Sequence, residues 1–226
     1  MIGARRPVRP ATRTRLTAVL TLGLLLGGRS LPITPGTSWD GTTSPRAAEP
    51  DSLNPVDDLP LTVVPAPPGP LLAVLLTGDG GWAAGDRSMA AEFVRHDVAV
   101  VGLSSPRYLA HGRAPEEASA DLARIIRHFT AAWGRERVIV VGYSRGADIG
   151  PFMISRLPSE LRSRVALVAL LGPGPMASFH YSLLDILQSH TRSGGLPVSP
   201  EVAKLRGIPV LCMYGSGDRG AICPSL

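Results

Sequence analysis

The stretch Arg137-Val138-Ile139-Val140-Val141-Gly142-Tyr143-Ser144-Arg145-Gly146-Ala147-Asp148 narrows the possible folds more than any other part of the chain. A β-branched apolar run of strand length passes into Gly-x-Ser-x-Gly and then into a helix-compatible segment, the pattern of a nucleophile elbow. A serine on such a sharp turn projects its hydroxyl clear of the sheet. Glycine is required at Gly142 and Gly146 because side chains there would hold strand and helix apart. The backbone N–H of Arg145, at the positive end of the new helix, is then placed to stabilise negative charge developing beside Ser144. In a chain with 25 glycines the pattern alone also fits a structural turn. Its context carries the reading: the strand before it, and a second Gly-rich strand end at Leu76-Thr77-Gly78-Asp79-Gly80-Gly81-Trp82.

Strand-length apolar runs recur at residues 71–76, 98–103, 165–171 and 208–214, and helical patterns lie between them at 88–96, from Pro115 onward and at 145–157. Continuous apolar strands of this kind suit a sheet covered on both sides. The alternation predicts an α/β fold, a mostly parallel sheet with helices on both faces and active groups at the carboxyl ends of the strands. Pro115-Glu116-Glu117 opens the long helix, with proline in the first turn and acids near the positive end of the dipole. Along it Leu122, Ile125, Ile126, Phe129 and Trp133 form one apolar stripe that packs on the sheet. Residues 104–114 read as a loop carrying Arg107, Tyr108 and His111, and 61–64 as an edge strand.

At 226 residues the chain accommodates one substantial domain behind a leader. Residues 1–30 read as a signal peptide or N-terminal anchor, with a basic start followed by an apolar run over 16–26 that is short for a membrane span. Residues 31–69 are rich in Pro, Gly, Ser and Thr and read as a lead-in, and 70–226 as the folded domain. The six arginines before Leu31 take the formal net charge of +5 to −1 for the remainder. The basic character belongs to the leader, so no nucleic-acid partner is expected.

Ser144 is the candidate nucleophile and needs a base that is itself oriented by an acid. Where this elbow occurs the chain order is Ser, acid, His. Asp218, in a Gly-rich loop beyond the last predicted strand, stands in place for the acid, with a solvated turn aspartate as the alternative. No histidine follows it; His96, His111, His128, His180 and His190 all precede it. His96 and His128 read as helix residues, whereas His111 and His180 lie in loops that could reach the site. Backbone N–H groups of Asp79 or Gly80 offer the second half of an oxyanion hole. Gly-Asp-Gly-Gly-Trp lacks the Lys-Ser/Thr ending of a phosphate-binding loop, and Asp148 reads as a helix-surface or structural acid. No Cys/His cluster has metal-ligand spacing, and no cofactor is expected. Cys212 and Cys223 are close enough in sequence for a disulfide in an exported protein, although Cys212 in its apolar run also fits a buried thiol.

Together, the segments 76–82, Ala120-Asp121-Leu122-Ala123-Arg124-Ile125-Ile126, 141–148 and Val210-Leu211-Cys212-Met213-Tyr214-Gly215 resemble the bacterial virulence protein family VirJ and its AcvB branch, from about Pro70 onward. The resemblance implies an α/β-hydrolase domain exported to the periplasm and, for the AcvB branch, hydrolysis of lysyl-phosphatidylglycerol. It casts Ser144 as nucleophile, Asp79 or Gly80 as oxyanion-loop positions, and Cys212 with Cys223 as the cysteine pair. Family members continue past the second cysteine into a last strand and a His-bearing loop. The present sequence stops at Leu226, so the expected sheet lacks that strand and its helix. Two functions are therefore expected: a serine hydrolase acting on an aminoacyl or acyl ester of a membrane lipid, or a non-catalytic periplasmic binding or assembly factor with a protein partner.

Overall fold

The computed structural model describes residues 56–181 and 195–226. The expected leader, most of the lead-in and His190 lie outside them. In chain order the elements are β1 (Leu61–Val64), β2 (Leu71–Leu76), α1 (Ala84–Arg95), β3 (Ala99–Leu103), α2 (Ser105–Tyr108), α3 (Pro115–Trp133), β4 (Arg137–Tyr143), α4 (Arg145–Ser155) and α5 (Ser159–Arg162). They continue with β5 (Val165–Leu171), β6 (Met176–Ala177), β7 (Leu196–Pro197), α6 (Val198–Val202) and β8 (Val210–Met213), and a short 3₁₀ turn at Cys223–Ser225.

Six strands form one sheet in the order β1-β3-β2-β4-β5-β8, all parallel except β1, which runs antiparallel to β3 at the edge. The chain moves from β2 outward to β3 and then returns to the other side of β2 as β4. That reversal sends the connecting helices to opposite faces and leaves a crevice at the carboxyl ends of β2 and β4. Both Gly-rich turns singled out in the sequence open onto it.

Burial follows the strand alternation. One face of the sheet, with Leu72, Val74, Leu76, Val138 and Val140, packs under α3 and α4, and the stripe Leu122, Ile125, Ile126 and Phe129 lies within that core. The opposite face, with Ala73, Leu75, Val100 and Val141, packs under α1 through Met89, Ala90 and Phe93. Each fully buried aliphatic side chain contributes roughly 1.5–3 kcal/mol, so the central strands anchor the domain. Val56 and Leu59, ahead of β1, also join the larger core.

Several elements depart from the local reading. Helix α1 starts at Ala84, ahead of the expected residue 88, because the Asp86 carboxylate accepts the Ala83 N–H at 3.0 Å and satisfies an otherwise orphaned donor. The expected loop after β3 contains the one-turn α2, whose Tyr108 is buried and donates to Asp121 at 2.7 Å. Burial and that carboxylate push the Tyr108 phenol well above its usual range. Helix α4 stops at Ser155, two residues before the expected end, and β8 is confined to Val210–Met213.

Buried charges fasten the connections. The Arg135 guanidinium, 4% exposed, donates to the carbonyls of Ala66, Pro67, Gly69 and Asp97 and so ties the β1–β2 link to the end of α1. Glu201 accepts from Ser155, Arg156 and Lys204, joining α6 to the end of α4. Burial works to raise its carboxyl pKa, but the bonds from Lys204 and Ser155 and the Arg156 charge outweigh it and leave it below the ordinary 4.5. Cys212 in β8 and Cys223 are joined in a disulfide. The described sheet ends on β8, where Leu211 and Met213 remain 46% and 52% exposed.

Two stability measurements follow from these tethers. Cys212→Ser with Cys223→Ser frees a loop with a sequence separation of 11, and urea unfolding should show a loss of about 2–3 kcal/mol. Because the folded pKa of Glu201 is depressed, its contribution is full above the unfolded pKa and is lost as pH falls through the folded one. Melting temperature should therefore fall less steeply below the ordinary 4.5 in Glu201→Gln than in the wild type.

Candidate active site

The elbow is built by close backbone contact. A Cβ added at Gly142 would lie 2.4 Å from the Gly146 carbonyl oxygen, and one at Gly146 would lie 2.0 Å from the Leu76 carbonyl oxygen. Neither neighbour is a flexible side chain, so β4, α4 and the end of β2 can meet only with glycine at both positions. Held in that turn, Ser144 adopts φ 50° and ψ −116°. For a residue with a side chain this conformation costs of order 1–3 kcal/mol, and the packing around it must supply the difference. The Ser144 N–H donates to the Leu171 carbonyl at 2.8 Å, and its own carbonyl accepts from Ala147 and Asp148, which starts α4.

Two sets of donors flank Ser144. Arg145 is the first residue of α4, and its N–H has no partner in the helix ladder. Across from it, the β2 end closes a turn with the Gly81 N–H donating to the Gly78 carbonyl at 3.1 Å. A Cβ at Gly78 would lie 3.3 Å from the Ser144 Cβ, so this turn abuts the elbow. The N–H groups of Asp79 and Gly80 make no hydrogen bond among the described residues. Thr77 fixes the base of the turn, with its Oγ1 accepting the Ser105 N–H at 3.0 Å while Ser105 Oγ donates back to the Thr77 carbonyl.

The side chains of Arg145 and Asp79, which the sequence offered only as backbone positions, form an ion pair from Nε to Oδ1. The Arg145 guanidinium also stacks over Tyr181, 5.4 Å from the ring centroid, and donates to the His180 carbonyl at 3.4 Å. An arginine inside the elbow was the sequence's only signal for this, and nothing in the sequence pointed to Tyr181. Asp148 is a structural acid rather than a helix-surface one: it is 2% exposed and accepts the Gly174 N–H at 2.6 Å, tying α4 to the loop after β5.

The acid and base candidates are placed differently. Asp218 lies beyond β8 at the same end of the sheet, with Oδ2 3.9 Å from the position of a Cβ on Gly172, the residue after β5. It is exposed, and its Oδ1 accepts the Gly220 N–H at 3.0 Å. None of the four described histidines bonds to Ser144. His96 pairs with Glu92 at 3.2 Å, and His128 stacks edge-on against Phe129. His111 lines a cleft of about 270 Å³ with Asp57, Arg107 and Arg113. His180 lines another of about 320 Å³ with Phe179 and Leu196, and Ser144 lines neither. Among the described residues no group of three or more His, Cys, Asp or Glu could hold a metal ion.

A mostly parallel sheet wrapped by helices on both faces, with a serine at positive φ between a central strand and the helix that follows, defines an α/β-hydrolase-type fold. The chain belongs to the bacterial virulence protein (VirJ) family, whose profile matches residues 70–226. No curated protein matches the sequence. Among solved structures, a poly(3-hydroxybutyrate) depolymerase, LpqC, from Bordetella parapertussis aligns at 21% identity over 69% of this chain and 59% of its own, with a TM-score of 0.45. A proline iminopeptidase from Mycobacterium smegmatis aligns at 19% identity over 54% of this chain and 43% of its own, with a TM-score of 0.36. A protein of unknown function from Agrobacterium tumefaciens aligns at 15% identity over 72% of this chain and 89% of its own, with a TM-score of 0.49. This chain thus spans less than two-thirds of the length of the depolymerase and of the iminopeptidase.

The strain at Ser144 is testable without a substrate. Ser144→Gly removes the 1–3 kcal/mol backbone cost but adds about 0.5–1 kcal/mol of chain entropy. Chemical denaturation should show a net gain of about 1 kcal/mol. A loss of stability would show that the positive φ is relieved in solution.

Proposed function

We propose that this protein is an exported serine hydrolase that cleaves an aminoacyl or acyl ester of a membrane lipid. The observation that carries the reading is Ser144 at φ 50° on the strand-to-helix turn, flanked by N–H groups of Arg145, Asp79 and Gly80 that are unengaged among the described residues. In the proposed reaction the Ser144 Oγ attacks the ester carbonyl carbon and its proton passes to an imidazole. The carbonyl electrons move onto oxygen, where the flanking N–H groups hold the charge. Collapse expels the alcohol, which takes the proton back from the imidazole, and water then releases the acid from the acyl-serine by the same route. Asp218 is assigned the orienting acid. Neither His96, His111, His128 nor His180 hydrogen-bonds to Ser144 or Asp218, and the imidazole is assigned to a position outside the described residues.

Family membership supports a membrane-lipid ester as the substrate class. The Cys212–Cys223 disulfide supports export to an oxidising compartment, here the periplasm, since such bonds are rare where glutathione keeps thiols reduced. Among the described residues no helix is long and apolar enough to cross a membrane. The expected signal or anchor at 16–26 lies outside them.

A second reading, a non-catalytic periplasmic factor that uses the hydrolase scaffold to bind a protein partner, is favoured by the absence of any described imidazole at Ser144. Labelling with a fluorophosphonate serine probe separates the two. The hydrolase reading expects labelling of the wild-type chain that Ser144→Ala abolishes. A folded wild-type protein that does not label leaves the binding reading.

A further inference from the structure

The Arg145 side chain is only 3% exposed, yet it carries a full charge at the edge of the crevice. Burying a guanidinium is costly unless it is paired and hydrogen-bonded. Here its bonding groups all reach segments remote in sequence. Nε binds the Asp79 carboxylate, Nη1 reaches the His180 carbonyl, and the guanidinium plane lies over Tyr181. The Tyr181 hydroxyl in turn reaches the Asp79 carbonyl at 3.5 Å. The contacts form a closed circuit through the elbow, the Gly78–Gly81 turn and the segment after β6.

We infer that the Arg145–Asp79 ion pair is a positioning pair that fixes the Gly78–Gly81 turn against the nucleophile elbow, setting the spacing between the N–H of Arg145 and those of Asp79 and Gly80. The inference deepens the hydrolase reading and rests on it for its catalytic consequence. Among the described residues the turn itself has few other restraints on the crevice side. The Gly81–Gly78 bond closes it, Thr77 anchors its base on Ser105, and Gly80 is exposed. A planar guanidinium holds a carboxylate in a defined direction, which a lysine ammonium does not. Because Asp79 is paired, the Arg145 charge is neutralised locally and acts through the backbone of the turn. An oxyanion hole depends on donor placement, and a displacement of about 1 Å costs on the order of 100-fold in rate.

The test uses the full chain with Arg145→Lys, Arg145→Met, Asp79→Asn, and the double variant Arg145→Met/Asp79→Asn, each checked for folding by circular dichroism. Amide exchange of Gly81, whose N–H closes the turn, reports turn position without any substrate. It should rise about tenfold or more in Arg145→Met and Asp79→Asn while exchange in β4 is unchanged. Fluorophosphonate labelling of Ser144, resolved into probe affinity and inactivation rate, reports the catalytic consequence. The inactivation rate should fall on the order of 10–100-fold with affinity nearly unchanged. The double variant should be no slower than either single one, and Arg145→Lys should recover part of the rate. Unchanged Gly81 exchange in a folded Arg145→Met variant overturns the inference, as does an unchanged inactivation rate where only the melting temperature falls. If the wild type does not label but Gly81 exchange responds, the hydrolase reading fails while the pair still fixes the turn.

Discussion

The contact between the Leu76 carbonyl and Gly146, with Gly142 packed just beneath, is the constraint on which the rest of the site depends. Two glycines allow the backbone of α4 to sit directly against the central strands, at distances where any side chain would collide with main-chain oxygen. The sheet order puts β2 and β4 side by side, so the strand ends that meet there carry both Gly-rich turns. The positive φ of Ser144 is the local cost of that approach. It persists because the aliphatic core above and below the sheet leaves the helix nowhere else to go.

Around this contact polar tethers add to the apolar packing of Leu109, Phe179 and Ile222 in holding the loops at the carboxyl end of the sheet. Arg145 reaches the turn after β2 and the segment after β6, and Asp148 reaches the loop after β5. Both side chains project from the first turn of α4 and both are nearly inaccessible. One helix terminus thus organises three connections, and it does so with charges whose burial is tolerable only while their partners stay in place. Loops of this kind otherwise carry the least stable parts of a domain. Pinning them to the most rigid element is a physical route to a preorganised site.

The far end of the sheet is organised differently. Beyond β5 the described sheet has β8, with Leu211 and Met213 exposed and the Cys212–Cys223 disulfide closing the Asp218 loop back on the strand. Covalent closure limits how far that loop can move where little apolar surface is buried to hold it. Asp218 stands at the same end of the sheet as Ser144, beside the residue that follows β5. The proposed triad geometry therefore depends on an imidazole entering between them. None of the four described histidines hydrogen-bonds to Ser144 or Asp218. His96 pairs with Glu92 and His128 packs against Phe129, whereas His111 and His180 lie in loops that line clefts of their own.

The sequence by itself determined the parallel strands, the elbow, the stripe on α3 and the family, because each depends on period, on local sterics or on residues adjacent in the chain. Continuous apolar runs such as Leu71–Leu76 can be satisfied only in the middle of a covered sheet, and Gly142 and Gly146 are legible because the turn they permit is local. Strand order, the switch point between β2 and β4, the pairing of Arg145 with Asp79, the burial of Asp148 and the choice of a disulfide over a buried thiol at Cys212 were decided only in the tertiary structure. Those features join residues far apart along the chain, and the free energy that selects them arises when buried charges and thiols find partners that no local pattern specifies. The early start of α1 and the hidden turn of α2 follow the same logic on a smaller scale. Asp86 and Tyr108 acquire their roles from a freed N–H and from a distant carboxylate, respectively.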